Sequence, residues 1–538
     1  MVKKRINWKS SVRKCWWTES VHRIRKSGSS QSLRIFCLMA EVRRMEKPVW
    51  RTRKRAFGAL RACAIIASAG LFAIGRVFAN FDILLISCLL VFFAAFEYAM
   101  EEVRRRCISV FFYVTFFVFL LCRPTIDLLR GEYWAYFVPE AMFFAFTIIY
   151  FGLLAVHFGT RFAEEMLYRR GAFEREHSAE FFTAEEDDFS SALQKTAAIG
   201  FYASLAFSLL EGLERLIKLR SAGYSDMYAG YESSLPFFVG AIATLAPFFL
   251  CVYLATMPKK LPAFIALGGY VASTAPDLLL GARNPAVLAV LFAWIYFIIR
   301  DYLDGTRYWL GKFERTCIAV GAPAAGLLLG VLNYTRADTG FSGGVFDLAL
   351  DFFHKQGVSF NVLNLAFLAL PALPAVVAKC YTFGGFVDYF AYGPIGRFLL
   401  GTAPLGDGNS AHKAIYGNSF AHSMSYIANP DYLKGNGYGS SFLLETYADF
   451  GYIGMVVFCF ALGAFMACMI PIFRKNRFWR IFILNCLMSF FLIPRAEATG
   501  WLTFVVYIQF WVVLVFCYAF AKMFSKNSNV KIGERQNV

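Results

Sequence analysis

Long apolar runs separated by short charged turns recur along almost the whole chain. A bilayer core about 30 Å thick is crossed by roughly 20 apolar residues in a helix. Measured against that length, the sequence predicts twelve crossings, near residues 59–78, 82–100, 107–122, 137–158, 196–212, 235–257, 261–281, 285–300, 316–333, 451–473, 479–495 and 500–522. Lipid offers no partner to backbone N–H and C=O groups, and these runs are too long and too uniformly apolar for tilted barrel strands, so each is expected to be a helix. The fold class read from the pattern is an all-α polytopic membrane protein.

Two polar stretches interrupt the pattern. Residues 159–195 are densely charged ("EREHSAEFFTAEEDDFSS") and read as a solvated linker. Residues 334–450 form one long loop between the ninth and tenth crossings, with room for a site of its own. Inside it, residues 357–379 are apolar but broken by Pro371 and Pro374, which fits an interfacial or re-entrant helix better than a full crossing.

Charge then orients the bundle. Most of the 54 Lys and Arg residues fall on one side if the N-terminus is cytoplasmic, with "EEVRRR", "FRKNRFWR" and the tail 523–538 beside it. Basic residues are retained on the cytoplasmic side, so both termini are expected inside and the long loop outside, at the plasma membrane. Residues 1–58 are basic without an apolar core, neither a signal peptide nor a crossing. Met45 opens a shorter basic lead to the first helix and is a second candidate for the natural start.

Composition agrees: the chain is 58% hydrophobic, against about 45–50% for a soluble domain. The net charge of +17 reads as topology and anionic lipid contact rather than nucleic-acid binding. The 13 cysteines lack CxxC pairs and mostly lie in apolar runs, which implies no disulfide framework. No HExxH, Walker loop, GxSxG or CxxCH occurs, so no metal or cofactor is expected.

Candidate chemistry gathers in the long loop. Of six histidines, His354, His412 and His422 lie there, and histidine can exchange a proton near neutral pH. In "GNGYGSSFLLETYADFGYIG", glycines 435, 437 and 439 permit a tight backbone path, and Ser440 or Ser441 is expected to cap a helix. That helix sets Glu445 and Asp449 one turn apart on one face. Gly451 and Gly454 are expected to allow close helix packing. Lys218, Arg220, Arg283, Arg336, Arg397 and Arg495 stand on the expected outer side against the charge rule. Arginine grips phosphate oxygens through a planar fork of donors, so their convergence points to a phosphorylated, lipid-borne ligand.

These residues carry a resemblance. "FAHSMSYIANPDYLKGNGYGSSFLLETYADFGYIG" resembles the signature of bacterial O-antigen and capsular polysaccharide polymerases of the Wzy type, in which a polar outer loop ends in a glycine-rich turn, a Ser pair, Glu, Tyr and "FG..G". "FFHKQGVSFNVL" is similar to the stretch that opens that loop, "GARNPAV" to a short Gly-x-Arg turn and "IPRAE" to a late Pro-Arg. Asn284 stands where relatives often have glycine, and Ser440 stands near a position where related ligases carry histidine.

The resemblance implies an inverting glycosyltransferase that needs no metal or nucleotide sugar. It would join undecaprenyl-diphosphate-linked glycans, donor and acceptor, at the outer face of the plasma membrane. For that chemistry, Arg283 and Arg495 in the matching turns, and Arg397, are expected to steady the diphosphate, with the outer-side Lys218, Arg220 and Arg336 as further cations. His422 is the first candidate base and Glu445 the second. Tyr426, Tyr432, Tyr438 and Tyr447 are candidates to stack on sugar rings, and Gly437, Gly439, Ser440 and Ser441 to shape the site. A chain-length regulator and a flippase are partners implied by the resemblance alone. An O-antigen ligase shares the donor chemistry, whereas a lipid-linked oligosaccharide flippase usually keeps its charges in mid-membrane cavities.

Overall fold

The computed structural model describes residues 57–133, 137–171, 188–219, 225–229, 231–304, 309–311, 314, 316 and 344–536. The crossing expected at 316–333, the candidates Arg220 and Arg336, residues 172–187 of the linker expected at 159–195 and the N-terminal segment with Met45 lie wholly or largely outside them, and the described ends of that linker are largely helical. The chain divides into two units after Ile66. The described residues of the first are helical, and the second, from Ala67, holds the bundle.

Among the described residues, ten helices are long and apolar enough to cross a bilayer. They are α1 (Phe57–Val77), α2 (Phe81–Met100), α3 (Cys107–Arg130), α4 (Pro139–Arg169), α5 (Asp188–Leu219), α6 (Phe237–Ala255), α8 (Asn284–Asp304), α15 (Phe442–Phe473), α16 (Arg477–Arg495) and α17 (Ile508–Ser525). No strand occurs among the described residues. The protein is an all-α, multi-pass membrane protein.

Where the crossings differ from expectation, proline and tight turns account for it. The run 261–281 breaks into α7 (Lys260–Ser273) and a short turn, Ala275–Leu279, because Pro276 cannot continue the helical hydrogen bonding. The run from 500 opens as a 3₁₀ helix, Gly500–Val506, before α17 begins. Within the long loop lie α9 (Val345–Gln356), α10 (Ser359–Ala369), α11 (Gly384–Tyr392), α12 (Pro394–Leu400), α13 (Ala411–Tyr416) and α14 (Phe420–Ala428). Helix α10 measures about 16 Å, half a bilayer core, and packs Phe360 and Phe367 on Phe146 and Phe144 of α4.

The tightest crossing is that of α4 with α15. Gly159 faces the carbonyl of Phe460 and Gly463 that of Val156, so close that a Cβ at either would overlap the opposite backbone. Thr160 Oγ1 donates to the Gly463 carbonyl at 3.1 Å across this seam. Without a hydrophobic force between helices in lipid, such small-residue contact is what holds them. Near one end of the pair, Arg106 grips Glu164 through Nε at 2.8 Å and Nη2 at 2.7 Å. Tyr98 adds its hydroxyl at 2.7 Å to the same carboxylate.

Helix α15 is kinked at Gly451, whose φ of +65° lies in the left-handed region that favours glycine. The segment past the kink, Tyr452 to Phe473, measures about 33 Å and is a full crossing by itself. Gly451 therefore bends the helix and does not serve the close packing expected of it, since a Cβ there would meet open space.

Candidate active site

The glycine-rich turn ends at Ser440 and Ser441, both buried. Ser441 has the extended backbone of a helix cap, and its carbonyl accepts from Glu445 N at 3.0 Å, but its hydroxyl makes no cap bond. Ser440 does not cap either. Its hydroxyl donates to Glu445 Oε1 at 2.7 Å, because the carboxylate in the first turn of α15 is the stronger acceptor within reach. The other oxygen of Glu445 accepts from Ala498 N at 2.7 Å, and the side chain is 0% exposed.

One turn along, Asp449 accepts from Tyr381 N at 3.1 Å and Thr382 N at 2.6 Å, and Thr499 Oγ1 returns a bond to the Thr382 carbonyl. The face predicted for Glu445 and Asp449 is thus a clamp that gathers residues 381–382 and 498–499. Gly439 lies against Arg495, which the last, 3₁₀ turn of α16 delivers to the same place.

Beside them opens a cavity of about 310 Å³ whose walls include Gly439, Ser440, Ser489, Arg495, Glu497 and Trp501. Arg495 Nη1 donates to Gln356 Oε1 at 3.4 Å, and its guanidinium stands 5.7 Å from the centre of the Phe119 ring. Phe119 belongs to a π-helical turn, Phe117–Leu121, inside α3. Such bulges are frequent at functional sites because they re-aim side chains.

Around the cavity the charges are crowded and half out of water. Asp388 accepts from the Asn418 amide N–H at 2.9 Å and from Asn418 Nδ2 at 2.8 Å, yet burial raises its carboxyl above the usual range. Burial likewise raises Glu497, with the charge of Asp388 adding to it and Ser419 and Lys413 opposing. Lys379 donates to the carbonyls of Ala414 and Gly417, and burial pulls its ammonium down.

Of the predicted site residues, the structure brings Arg495, Gly439, Ser440 and Glu445 together, with Ser441 beside them. His422 is elsewhere on α14: its Nδ1 lies 2.9 Å from the Tyr432 hydroxyl, and burial, then Lys413, lowers its pKa to about 4. Lys218 pairs with Glu214 at 2.9 Å. Arg283 is half-buried in the turn before α8, and Arg397 is exposed on α12. Gly437 packs beside Ser425, whose Oγ accepts from Tyr438 N at 2.8 Å. Tyr447 stands edge-on between Phe144 and Tyr452, and Tyr426 packs on Tyr432.

A family model described as O-antigen polysaccharide polymerase Wzy matches residues 61–528. The chain belongs to the Wzy O-antigen polysaccharide polymerase family. No curated protein and no solved structure matches it. The activity is therefore that of a polysaccharide polymerase, a glycosyltransferase-type reaction, in a multi-pass membrane protein. In this Wzy protein no cluster of three or more metal-ligating side chains occurs among the described residues. Sequence reading missed Glu497, Asp388, Lys379 and Asn418. The signal for Glu497 was there: an acid two residues beyond Arg495 in "IPRAEATG", at the end of an apolar helix, where a charge is costly unless it is used.

Proposed function

We propose that this protein polymerises undecaprenyl-diphosphate-linked oligosaccharide repeat units into O-antigen or capsular polysaccharide at the outer face of the bacterial inner membrane, with both termini cytoplasmic. The growing glycan leaves its diphosphate carrier and joins a hydroxyl of the incoming unit, without a metal or nucleotide sugar. The observation that carries this reading is the cavity at Arg495. A guanidinium anchored by Gln356 and Phe119 stands at its wall beside Ser440 and Glu497, with Glu445 behind Ser440.

Charge that develops on a leaving diphosphate is stabilised by fixed donors in a site with little water. Arg495 supplies a planar fork of them. Glu445 holds Ser440 and the Ala498 amide in place, so that the wall keeps its shape while the glycan moves. Arg283, Arg397 and Lys218 serve the approach of the carrier lipid rather than this cavity. A flippase that delivers the units and a chain-length regulator are the partners this reaction requires.

The test is the polysaccharide ladder on a gel from the host strain with the gene deleted, then complemented with wild type, Arg495→Ala or Glu445→Gln. Deletion is expected to leave a single repeat unit and remove the long chains. Wild type restores them, and each variant is expressed but does not. Loss of every repeat on deletion, the single one included, would overturn the proposal in favour of a ligase or flippase.

A further inference from the structure

The polymerase reading leaves open which group takes the proton of the acceptor hydroxyl. Of four carboxylates in this part of the protein, Glu497 is the one among the cavity walls, and each of the other three accepts hydrogen bonds on both of its oxygens. Glu445 is fully buried, with one oxygen on the Ser440 hydroxyl and the other on the Ala498 amide. Asp388 accepts three bonds from Asn418. Asp449 accepts the amides of Tyr381 and Thr382, one on each oxygen. His422, the histidine of this loop expected to act as base, is not among the cavity walls and faces Tyr432.

Glu497 differs from all of these. It lines the cavity together with Arg495, two residues before it, and Ser440, and the side chain that hydrogen-bonds it is Ser419. We propose that Glu497 is a catalytic residue of this site, the base that accepts the proton of the acceptor sugar hydroxyl. This rests on the polymerase reading. The hydroxyl oxygen bonds to the anomeric carbon of the donor glycan as the bond from that carbon to the diphosphate oxygen breaks. The diphosphate leaves with the electron pair, steadied by Arg495, and the proton passes to Glu497 and then to solvent.

The surroundings suit the task. A base works best when its affinity for protons is tuned toward the working pH, and Glu497 is raised above an ordinary glutamate by burial and by Asp388. The other groups that act on it are Lys413, which opposes the rise, Ser419, which hydrogen-bonds it, and Glu445, which senses its charge from behind Ser440.

The experiment uses the purified full-length protein in lipid nanodiscs and, as probe, the lipid-diphosphate-linked single repeat unit extracted from the deletion strain. Wild type is expected to lengthen the probe, with a rate that falls on the acid side as Glu497 takes up a proton. E497Q is expected to bind the probe like wild type, to turn it over about 100-fold more slowly or worse, and to lose the acid limb. A smaller fall, or an unchanged acid limb, overturns the assignment of Glu497. If E497Q does not fold, E497D carries the test: with its carboxylate drawn back by about 1.5 Å it is expected to lose at least tenfold, and undiminished turnover overturns the assignment. Failure of wild type itself to lengthen the probe would instead overturn the polymerase reading.

Discussion

Glu445, in the first turn of α15, accepts the amide proton of Ala498, 53 positions later and beyond the end of α16, at 2.7 Å. One buried side chain thereby joins the polar loop to the wall that carries Arg495. Thr499 Oγ1 on the Thr382 carbonyl is a second such joint, and both serve a backbone that is irregular from Ala496 to Thr499.

Glu445→Gln tests the joint directly. A carboxylate accepts from both Ser440 and Ala498, whereas an amide offers one acceptor oxygen and turns an NH₂ toward the other donor. One buried donor is left without a partner, a cost of about 1–3 kcal/mol. The expected outcome is a lower thermal midpoint in detergent together with loss of long chains from the ladder. An unchanged midpoint would mean that the joint contributes nothing.

His422 makes stability depend on pH. Its pKa is lowered to about 4 in the folded protein, against about 6.5 in an unfolded chain. Between these values the unfolded chain binds a proton that the native state does not, so stability is full above about pH 6.5 and falls as pH drops toward 4. The loss from this one group is at most about 3 kcal/mol. His422→Gln keeps a partner for the Tyr432 hydroxyl and removes the titration. Unfolding of the variant is expected to vary less between pH 7 and pH 5 than that of wild type.

The contrast between His422 and Glu497 explains what could be read in advance. Apolar runs and turn residues are local, so the all-helical membrane fold and the helix that opens after Ser441 were legible. The count of twelve crossings was not reached among the described residues: one run breaks at Thr274 and another lies outside them. The gathering at Arg495 was legible only in part. "GSSFLLE" marks itself by its glycine and polar residues. Glu497, Asp388 and Asn418 acquire meaning only through contacts across dozens of positions, and no local pattern records those. His422 drew attention as a residue type, and its surroundings then assigned it to Tyr432.

Glu164 tests the opposite end of α4. It receives Arg106, Arg105 and the Tyr98 hydroxyl, with its own side chain largely buried. Glu164→Gln removes the nearest counter-charge of the buried Arg106, while Glu101 at 3.4 Å stays with Arg106 and Glu102 at 2.9 Å with Arg105, so the expected cost is below the roughly 3–5 kcal/mol of a buried charge left wholly unpaired. Replacing Arg106 and Glu164 together with methionine and leucine removes both charges and is expected to recover most of that loss. Measured unfolding of the single and double variants decides between charge pairing and packing as the source of stability there.

Arg495→Lys separates charge from geometry. Lysine keeps the positive charge but is a compact ammonium on a flexible stem, without a planar face for Phe119 or a donor fixed toward Gln356. If the cavity needed charge alone, lysine would restore the ladder. A leaving diphosphate presents several oxygens, and donors that are already aligned need no rearrangement as charge builds on them. Turnover of the lipid-linked repeat unit is therefore expected to fall at least about tenfold in Arg495→Lys and further in Arg495→Ala. Gln356→Ala, which loosens the guanidinium without removing it, is expected to lie between wild type and Arg495→Lys. Equal rates for lysine and arginine would show that the anchoring by Gln356 and Phe119 serves the fold and not the transfer.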